Sequence, residues 1–211
     1  MSGPKPLEAL DLAALLCSRV CHDVISPVGA IINGLEVLED EKDQAMKESA
    51  LELVRKSAGQ ASARLQFARL AFGAAGSAGA QLDLGDAEGV VRGLLDDPRL
   101  QINWNLPRVL LAKNRVKLLL NLIVIASAAV PRGGKLTVDP VGEGEAMGFR
   151  LTAEGAHAKV QPAVEASLTN GSPEGIDAHA IQPHYTGLLA ADAGLTIAVE
   201  SATEKVVLTA A

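Results

Sequence analysis

Apolar residues recur at helical spacing through the first seventy residues of the chain. From about residue 7 to residue 38 only Pro27 opposes a helix. The apolar positions of this segment fall three or four residues apart, at Leu16, Val20, Val24, Val28, Ile31, Leu35 and Leu38. A second segment, residues 44–72, has the stripe Leu51, Val54, Ala58, Ala61, Leu65, Ala68 and Phe72. These spacings predict two long amphipathic helices, the second with a coiled-coil-like seam.

The short polar segment at residues 39–43 is typical of the turn in a helical hairpin. A lone hairpin has only two apolar stripes to bury, and the small seam residues Ala58, Ala61 and Ala68 favour close helix approach. Two hairpins packed together would form a four-helix bundle with a complete core. We therefore expect a homodimer. The alternative is a hairpin that packs on the C-terminal half of its own chain.

The remaining residues alternate between short strand and helix patterns after a glycine- and alanine-rich linker at residues 73–80. We predict strands at 81–84, 100–106, 135–141, 147–153, 195–201 and 205–209. Helices are predicted at 86–95, 109–130, 162–168 and 181–193, and a loop at 170–173. The expected fold class is α+β, with a helical hairpin in residues 1–75 and a two-layer α/β sandwich over a mainly antiparallel sheet in residues 80–211.

Composition and charge narrow the classes of function. A net charge of −6 without a basic stripe disfavours nucleic acid as a partner. The longest apolar run, residues 118–130, is interrupted by Asn121 and is shorter than the roughly 18 residues of a membrane span. No signal-peptide pattern precedes the first helix. Cys17 and Cys21 are expected to be buried thiols in a reducing compartment, which predicts a cytoplasmic protein without a membrane partner.

One histidine stands apart from the apolar stripe of the first helix. At about 100° per residue, His22 lies about 165° from the centre of that stripe, so it is expected to be exposed. Its face of the helix is small and mostly polar, with Leu15, Ser18, Ser26, Gly29 and Asn33. Cys21 and His22 point about 100° apart and no further ligand is in register, so we predict no metal site.

An exposed imidazole suggests nucleophilic chemistry at His22. A neutral imidazole can accept a phosphoryl group by in-line transfer, a reaction that depends on positioning and charge stabilisation. Asp23 follows directly and could orient the ring or take its proton. Pro27 lacks an N–H, so it frees the carbonyl of Asp23, and a kink there would form a hinge. On periodicity alone, an ordinary surface histidine is the alternative.

The run His22-Asp23-Val24-Ile25-Ser26-Pro27-Val28 resembles the H box of sensor histidine kinases: a phosphoaccepting histidine, an acid, and a proline five residues on. The segments Arg19-Val20-Cys21-His22-Asp23 and Ile32-Asn33-Gly34-Leu35-Glu36 resemble the ChpT-type histidine phosphotransferases of alphaproteobacterial cell-cycle phosphorelays. The resemblance implies that His22 is the phosphoacceptor. We expect partner proteins to bind the surrounding face, at Leu15, Ser18, Arg19, Ser26, Gly29 and Asn33.

The C-terminal half resembles a kinase ATP-binding domain that has lost its nucleotide-binding residues. In the segment matching the asparagine box, residues 121–126, the metal-binding asparagine falls at Ile125. In the segment matching Asp-x-Gly-x-Gly, the adenine-binding aspartate falls at Ala153 and the second glycine at His157. The glycine-rich lid is reduced to residues 186–188. We therefore expect no bound cofactor and weak or absent ATP binding.

The resemblance also implies a place in a phosphorelay. His22 would take a phosphoryl group from the receiver-domain aspartate of a hybrid histidine kinase. It would pass the group to response regulators, in this family the master cell-cycle transcription regulator and a small single-domain regulator that controls proteolysis. The receiver domains would supply the Mg²⁺ site. The alternatives are an active ATP-dependent histidine kinase and a non-catalytic dimerisation scaffold.

Overall fold

The first two helices form an antiparallel hairpin. The computed structural model describes residues 4–73, 80–169, 175–178 and 180–211. Helix α1 spans Ala9–Asp40 and helix α2 spans Gln44–Ala71, and the two pack along each other. The Asp43 carboxylate caps α2 by accepting a hydrogen bond from the main-chain N–H of Ala45 at 2.8 Å. Both predicted helices are therefore confirmed.

Some of the predicted connecting segments are not among the described residues. Most of the predicted linker, residues 74–79, lies outside them. So do the predicted loop at residues 170–173 and His179.

The two helices of the hairpin approach each other closely at Gly34. A Cβ atom at this position would lie 2.7 Å from Cγ2 of Val54 and 3.2 Å from the main-chain oxygen of Ala50. Gly34 and Pro27 are the buried residues of α1, and the helix continues through Pro27. The absence of a side chain at Gly34 therefore sets the separation of the two helices.

One apolar side of the hairpin is left uncovered in the single chain. Ile25 is 69 % exposed, Leu35 is 47 % exposed and Leu65 on α2 is 50 % exposed. The predicted stripe of α1 therefore divides between two faces. Val20 and Ile31 are partly buried, whereas Val28 and Leu35 are exposed beside Ile25 and Ile32.

The C-terminal domain has eleven further helices and strands among its described residues. In chain order they are β1 Gln81–Asp83, α3 Leu84–Leu94, β2 Leu100–Trp104, β3 Leu110–Ala112, α4 Lys113–Ala128, β4 Gly134–Val141, β5 Gly148–Glu154, α5 Pro162–Thr169, α6 Ile181–Asp192, β6 Ile197–Ala202 and β7 Lys205–Ala210. A short 3-10 helix, Gly144–Ala146, lies between β4 and β5.

The predicted start of the long apolar helix at residue 109 is wrong. Residues 110–112 form β3, which pairs antiparallel with β1, and α4 begins at Lys113. The apolar composition of this stretch suits a buried helix or a strand equally well, and the pairing partner thirty residues earlier decides between them.

The main sheet has the strand order β2-β4-β5-β7-β6. Strands β2 and β4 are parallel, and the other three neighbouring pairs are antiparallel. Helix α4 packs on β5 and β7, and α6 packs on α4 and α5. The fully buried core includes Leu118, Leu119, Leu122, Leu136, Phe149, Leu151 and Leu208. The predicted two-layer arrangement with a mainly antiparallel sheet is confirmed.

The hairpin also packs on its own C-terminal domain. Helix α2 contacts α3 and α4, and α1 contacts α6. Phe67 and Ala71 of α2 belong to the same apolar core as the sheet domain. The Asn121 side chain donates a hydrogen bond to the main-chain oxygen of Ala71 at 3.4 Å, and Gln182 Nε2 donates to Asn121 Oδ1 at 3.2 Å. This polar chain connects α2, α4 and α6.

Candidate functional site

His22 lies near the middle of α1 on an accessible face. His22, Ser26 and Asn33 are exposed, and the other residues predicted on this face, Leu15, Ser18 and Gly29, are partly buried. A Cβ atom added at Gly29 would have no heavy atom within 4 Å beyond its own helix backbone and chain neighbours. Because α1 is one continuous helix, these residues lie on one side of it, as the spacing predicts.

Asp23, next to the histidine, is held at both its side chain and its main chain. Arg19 Nε donates a hydrogen bond to Asp23 Oδ2 at 2.9 Å, one turn earlier in the same helix. Arg64 of α2 donates through Nη1 to the main-chain oxygen of Asp23. That oxygen is the one that Pro27, without an N–H, leaves free. The Asp23 carbonyl therefore lacks its usual partner within α1, as predicted, and Arg64 of α2 binds it instead.

Arg64 is a residue of the site that was not predicted from the sequence. It precedes Leu65 in the α2 seam, and no local pattern indicates that its side chain reaches the other helix. A signal did exist, because a partly buried carbonyl without its helical partner requires a donor from elsewhere. The sequence does not show which basic residue supplies that donor.

Two adjoining cavities lie between the hairpin and the C-terminal domain. The smaller, about 210 Å³, is lined by Arg19, Asp23 and Arg64 together with Val20, Phe67, Ala68, Leu94, Leu95, Val124 and Gln182. The larger, about 360 Å³, shares Arg19, Val124 and Gln182 with it. Its other lining residues are mostly apolar: Ile125, Ala128, Ala129, Pro131, Lys159, Val160, Gln161, Val164 and Pro183.

The positions that resemble kinase nucleotide-binding boxes carry side chains unsuited to that task. Ile125 lines the larger cavity with an apolar side chain. Ala153 is fully buried inside β5 and offers only a methyl group. His157 adopts φ of 63°, a backbone conformation that glycine adopts more readily. The residues matched to the lid, 186–188, lie within α6.

The prediction that Cys17 and Cys21 are buried is wrong. Both are exposed, free thiols on α1. The helix buries the side centred on Pro27 and Gly34 against α2, and the cysteines project away from it. Within the described part of the chain, no three His, Cys, Asp or Glu side chains are grouped closely enough to hold a metal ion.

Helix α1 is also long and apolar enough to cross a membrane, judged by length and composition alone. It lies near the N-terminus and carries Arg19, His22 and Asp23 in the middle of its length. Little of this apolar stretch is buried in the single chain, in which α1 packs lengthwise on α2, and one such helix does not by itself establish a membrane span.

The chain belongs to the histidine phosphotransferase family. Residues 84–205 match the family model for the histidine phosphotransferase C-terminal domain. The protein is thus a phosphotransferase with an N-terminal helical hairpin and a C-terminal α/β domain.

Two relatives match over the full length of both chains. Protein phosphotransferase ChpT of Brucella abortus (strain 2308) is 50 % identical over 211 residues, which is 100 % of each chain. The 1.7 Å structure of a bacterial phosphotransferase aligns with a TM-score of 0.89 at 47 % identity, again over 100 % of each chain. The resemblance to ChpT-type phosphotransferases and the α+β fold are thereby confirmed.

Proposed function

We propose that His22 is the phosphoacceptor of this histidine phosphotransferase. The observation that supports this most directly is the exposed imidazole on a continuous helix, beside an aspartate that two arginines hold in place. The face around it is open at Gly29 and Ser26, so a partner domain can approach the ring.

The proposed reaction is a reversible transfer between a carboxylate and an imidazole. A nitrogen of His22 attacks the phosphorus of an aspartyl phosphate on a receiver domain, and a P–N bond forms as the P–O bond to the carboxylate breaks. The carboxylate leaves with the bonding electron pair, and the other ring nitrogen releases its proton to Asp23 or to water. The reverse reaction delivers the phosphoryl group to the next aspartate. The receiver domain contributes the Mg²⁺, and this chain needs no cofactor of its own.

The proposed partners are receiver domains of a two-component phosphorelay in the cytoplasm. The donor is the receiver of a hybrid histidine kinase, and the acceptors are response regulators, among them a cell-cycle transcription regulator and a small single-domain regulator. The docking face comprises Leu15, Ser18, Arg19, Ser26, Gly29 and Asn33, which surround His22 on accessible α1 surface. Its mixture of small, polar and apolar groups suits a small, transient interface.

We further propose that the protein is a homodimer joined through its hairpins. Exposed apolar residues lie along one side of both helices, at Ile25, Val28, Ile32 and Leu35 on α1 and Leu51 and Leu65 on α2. Large exposed apolar residues that recur at helical spacing indicate an interaction surface. A second hairpin would cover it and complete a four-helix bundle.

The experiment that tests the function is transfer from a labelled receiver domain to the wild-type protein and to His22→Ala. The variant should take up no label, and its melting temperature and oligomeric state should stay nearly unchanged, since exposed substitutions usually change stability by less than about 0.5 kcal/mol. A parallel reaction with labelled ATP should leave the wild-type protein unlabelled. Label on the His22→Ala variant would refute the assignment, and label from ATP would favour the kinase alternative.

Partner docking around His22 is tested separately at Gly29. Gly29→Leu places a bulky side chain on open surface, so it should retain the wild-type fold and slow phosphotransfer. Gly29→Ala should have a milder effect, which separates a steric cause from a change in helix propensity. A Gly29→Leu variant that transfers at the wild-type rate would show that receivers dock elsewhere.

A further inference from the structure

The contact between Arg64 and the main chain of Asp23 has a consequence for phosphotransfer. In an α-helix, the carbonyl of residue 23 would accept a hydrogen bond from the N–H of residue 27. That residue is proline, so the bond cannot form. The donor comes instead from α2, 41 residues away in sequence, where Arg64 Nη1 binds the free oxygen.

This contact joins the two helices one residue from the reacting imidazole. Pro27 is buried, and Asp23 and Arg64 are partly buried, so the carbonyl is poorly placed to be satisfied by bulk water. The Asp23 carboxylate is fixed at the same time by Arg19 at 2.9 Å. The main chain and the side chain of Asp23 are therefore both restrained, each by a different guanidinium.

We propose that Arg64 is a positioning residue for phosphotransfer. It binds the Asp23 carbonyl that Pro27 leaves free, and it thereby holds the His22 imidazole in position for the receiver domain. This inference rests on the proposed role of His22. It assigns Arg64 no contact with the phosphoryl group. Arg64 restrains the α1 main chain, and α1 presents the imidazole.

The alternative explanation for Arg64 is electrostatic. A guanidinium near the site would attract the negative phosphoryl group whether or not the carbonyl is free. The two explanations differ at Pro27. If Arg64 acts through the carbonyl, supplying a local N–H at position 27 makes Arg64 dispensable. If Arg64 acts by charge alone, its removal slows transfer equally whether residue 27 is proline or alanine.

The test is a double-mutant cycle with Arg64→Met and Pro27→Ala, read out as single-turnover transfer from a labelled receiver domain at saturating concentration. Arg64→Met alone should slow transfer by about tenfold or more, because small displacements of a reacting group are costly. In the Pro27→Ala background, Arg64→Met should change the rate by less than about threefold. Receiver affinity, measured separately, should stay within about twofold throughout.

A matched control removes one positive charge at another position of α2. Arg55 is exposed on α2, and Arg55→Met should leave the transfer rate within about twofold of wild type. If Arg64→Met does not fold, Arg64→Lys takes its place. Arg64→Lys should transfer more slowly than wild type when Pro27 is present. In the Pro27→Ala background, it should transfer at the same rate as Pro27→Ala alone.

Three results would overturn the inference. They are an unchanged rate in Arg64→Met, an equal loss in both backgrounds, and a loss that lies wholly in receiver affinity. Failure of the underlying function has a different signature. In that case the wild-type protein takes up no label, or the label persists in His22→Ala.

Discussion

A second histidine has a very different environment from that of His22. His184 in α6 is fully buried, and neither ring nitrogen has a hydrogen-bond partner among the described residues. Burial lowers the pKa of His184 below its ordinary value, because the charged ring would lose its hydration. Because its ring nitrogens are buried without hydrogen-bond partners in the described part of the chain, the neutral His184 side chain lowers the stability of the fold. It has no part in the proposed phosphotransfer. Its spacing in the sequence did not distinguish it from a surface histidine.

The burial of His184 predicts a loss of stability in mild acid. The unfolded chain binds a proton at His184 near pH 6.5, whereas the folded chain binds it only at a lower pH. Stability is therefore fully present above about pH 6.5 and falls as the pH drops through the folded-state pKa. Denaturant unfolding between pH 7.5 and pH 5 should show this fall, and His184→Leu should reduce it. Parallel pH curves for the two proteins would contradict the prediction.

At the scale of single elements, α1 contains two internal glycines with opposite surroundings. Gly34 faces the backbone and side chains of α2, whereas Gly29 faces open space. Helix propensity alone penalises both glycines equally, by roughly 0.5–1 kcal/mol relative to alanine. Only the packing of α2 distinguishes a structural glycine from one that is available for partner contact.

The two glycines provide a matched pair of substitutions. Gly34→Ala should lower the free energy of unfolding by about 1–3 kcal/mol, since its Cβ would lie 2.7 Å from the Val54 side chain. Gly29→Ala should raise it by about 0.5–1 kcal/mol through helix propensity. Chemical denaturation of both variants measures the two effects. Equal effects at the two positions would show that the helices are not in contact at Gly34 in solution.

For the whole molecule, one side of the hairpin packs on the C-terminal domain of the same chain, and another side is exposed. The core shared by Phe67, Ala71 and the C-terminal domain fixes the first side. The Asn121 amide and Gln182 add a buried polar connection there. The second side carries the exposed apolar residues that we propose as the dimer interface.

The proposed dimer predicts a specific effect at Leu65. Leu65→Glu would bury a charge in the bundle core, so it should dissociate or unfold the dimer. Leu110 in β3 is 56 % exposed, similar to Leu65 at 50 %, and Leu110→Glu is therefore the control that should keep the dimer. Light scattering measures the mass of each variant. A wild-type monomer would refute the dimer directly.

Local patterns were sufficient for much of this protein. The two long helices and most of the strand and helix order follow from apolar periodicity. The predicted exposure of His22 is confirmed, although the buried side of α1 is centred on Pro27 and Gly34 and not on the predicted apolar stripe. The freed carbonyl of Asp23 also follows from the sequence, since proline has no N–H wherever it stands.

Tertiary structure alone decided the remaining features, each of which depends on a residue distant in the chain. Residues 110–112 became a strand because β1 pairs with them. Cys17 and Cys21 are exposed because α2 covers the other side of α1. The donor for the Asp23 carbonyl is Arg64, which reaches it across the hairpin. Local hydrophobic periodicity does not predict these contacts, because they depend on how helices and strands distant in the sequence pack together.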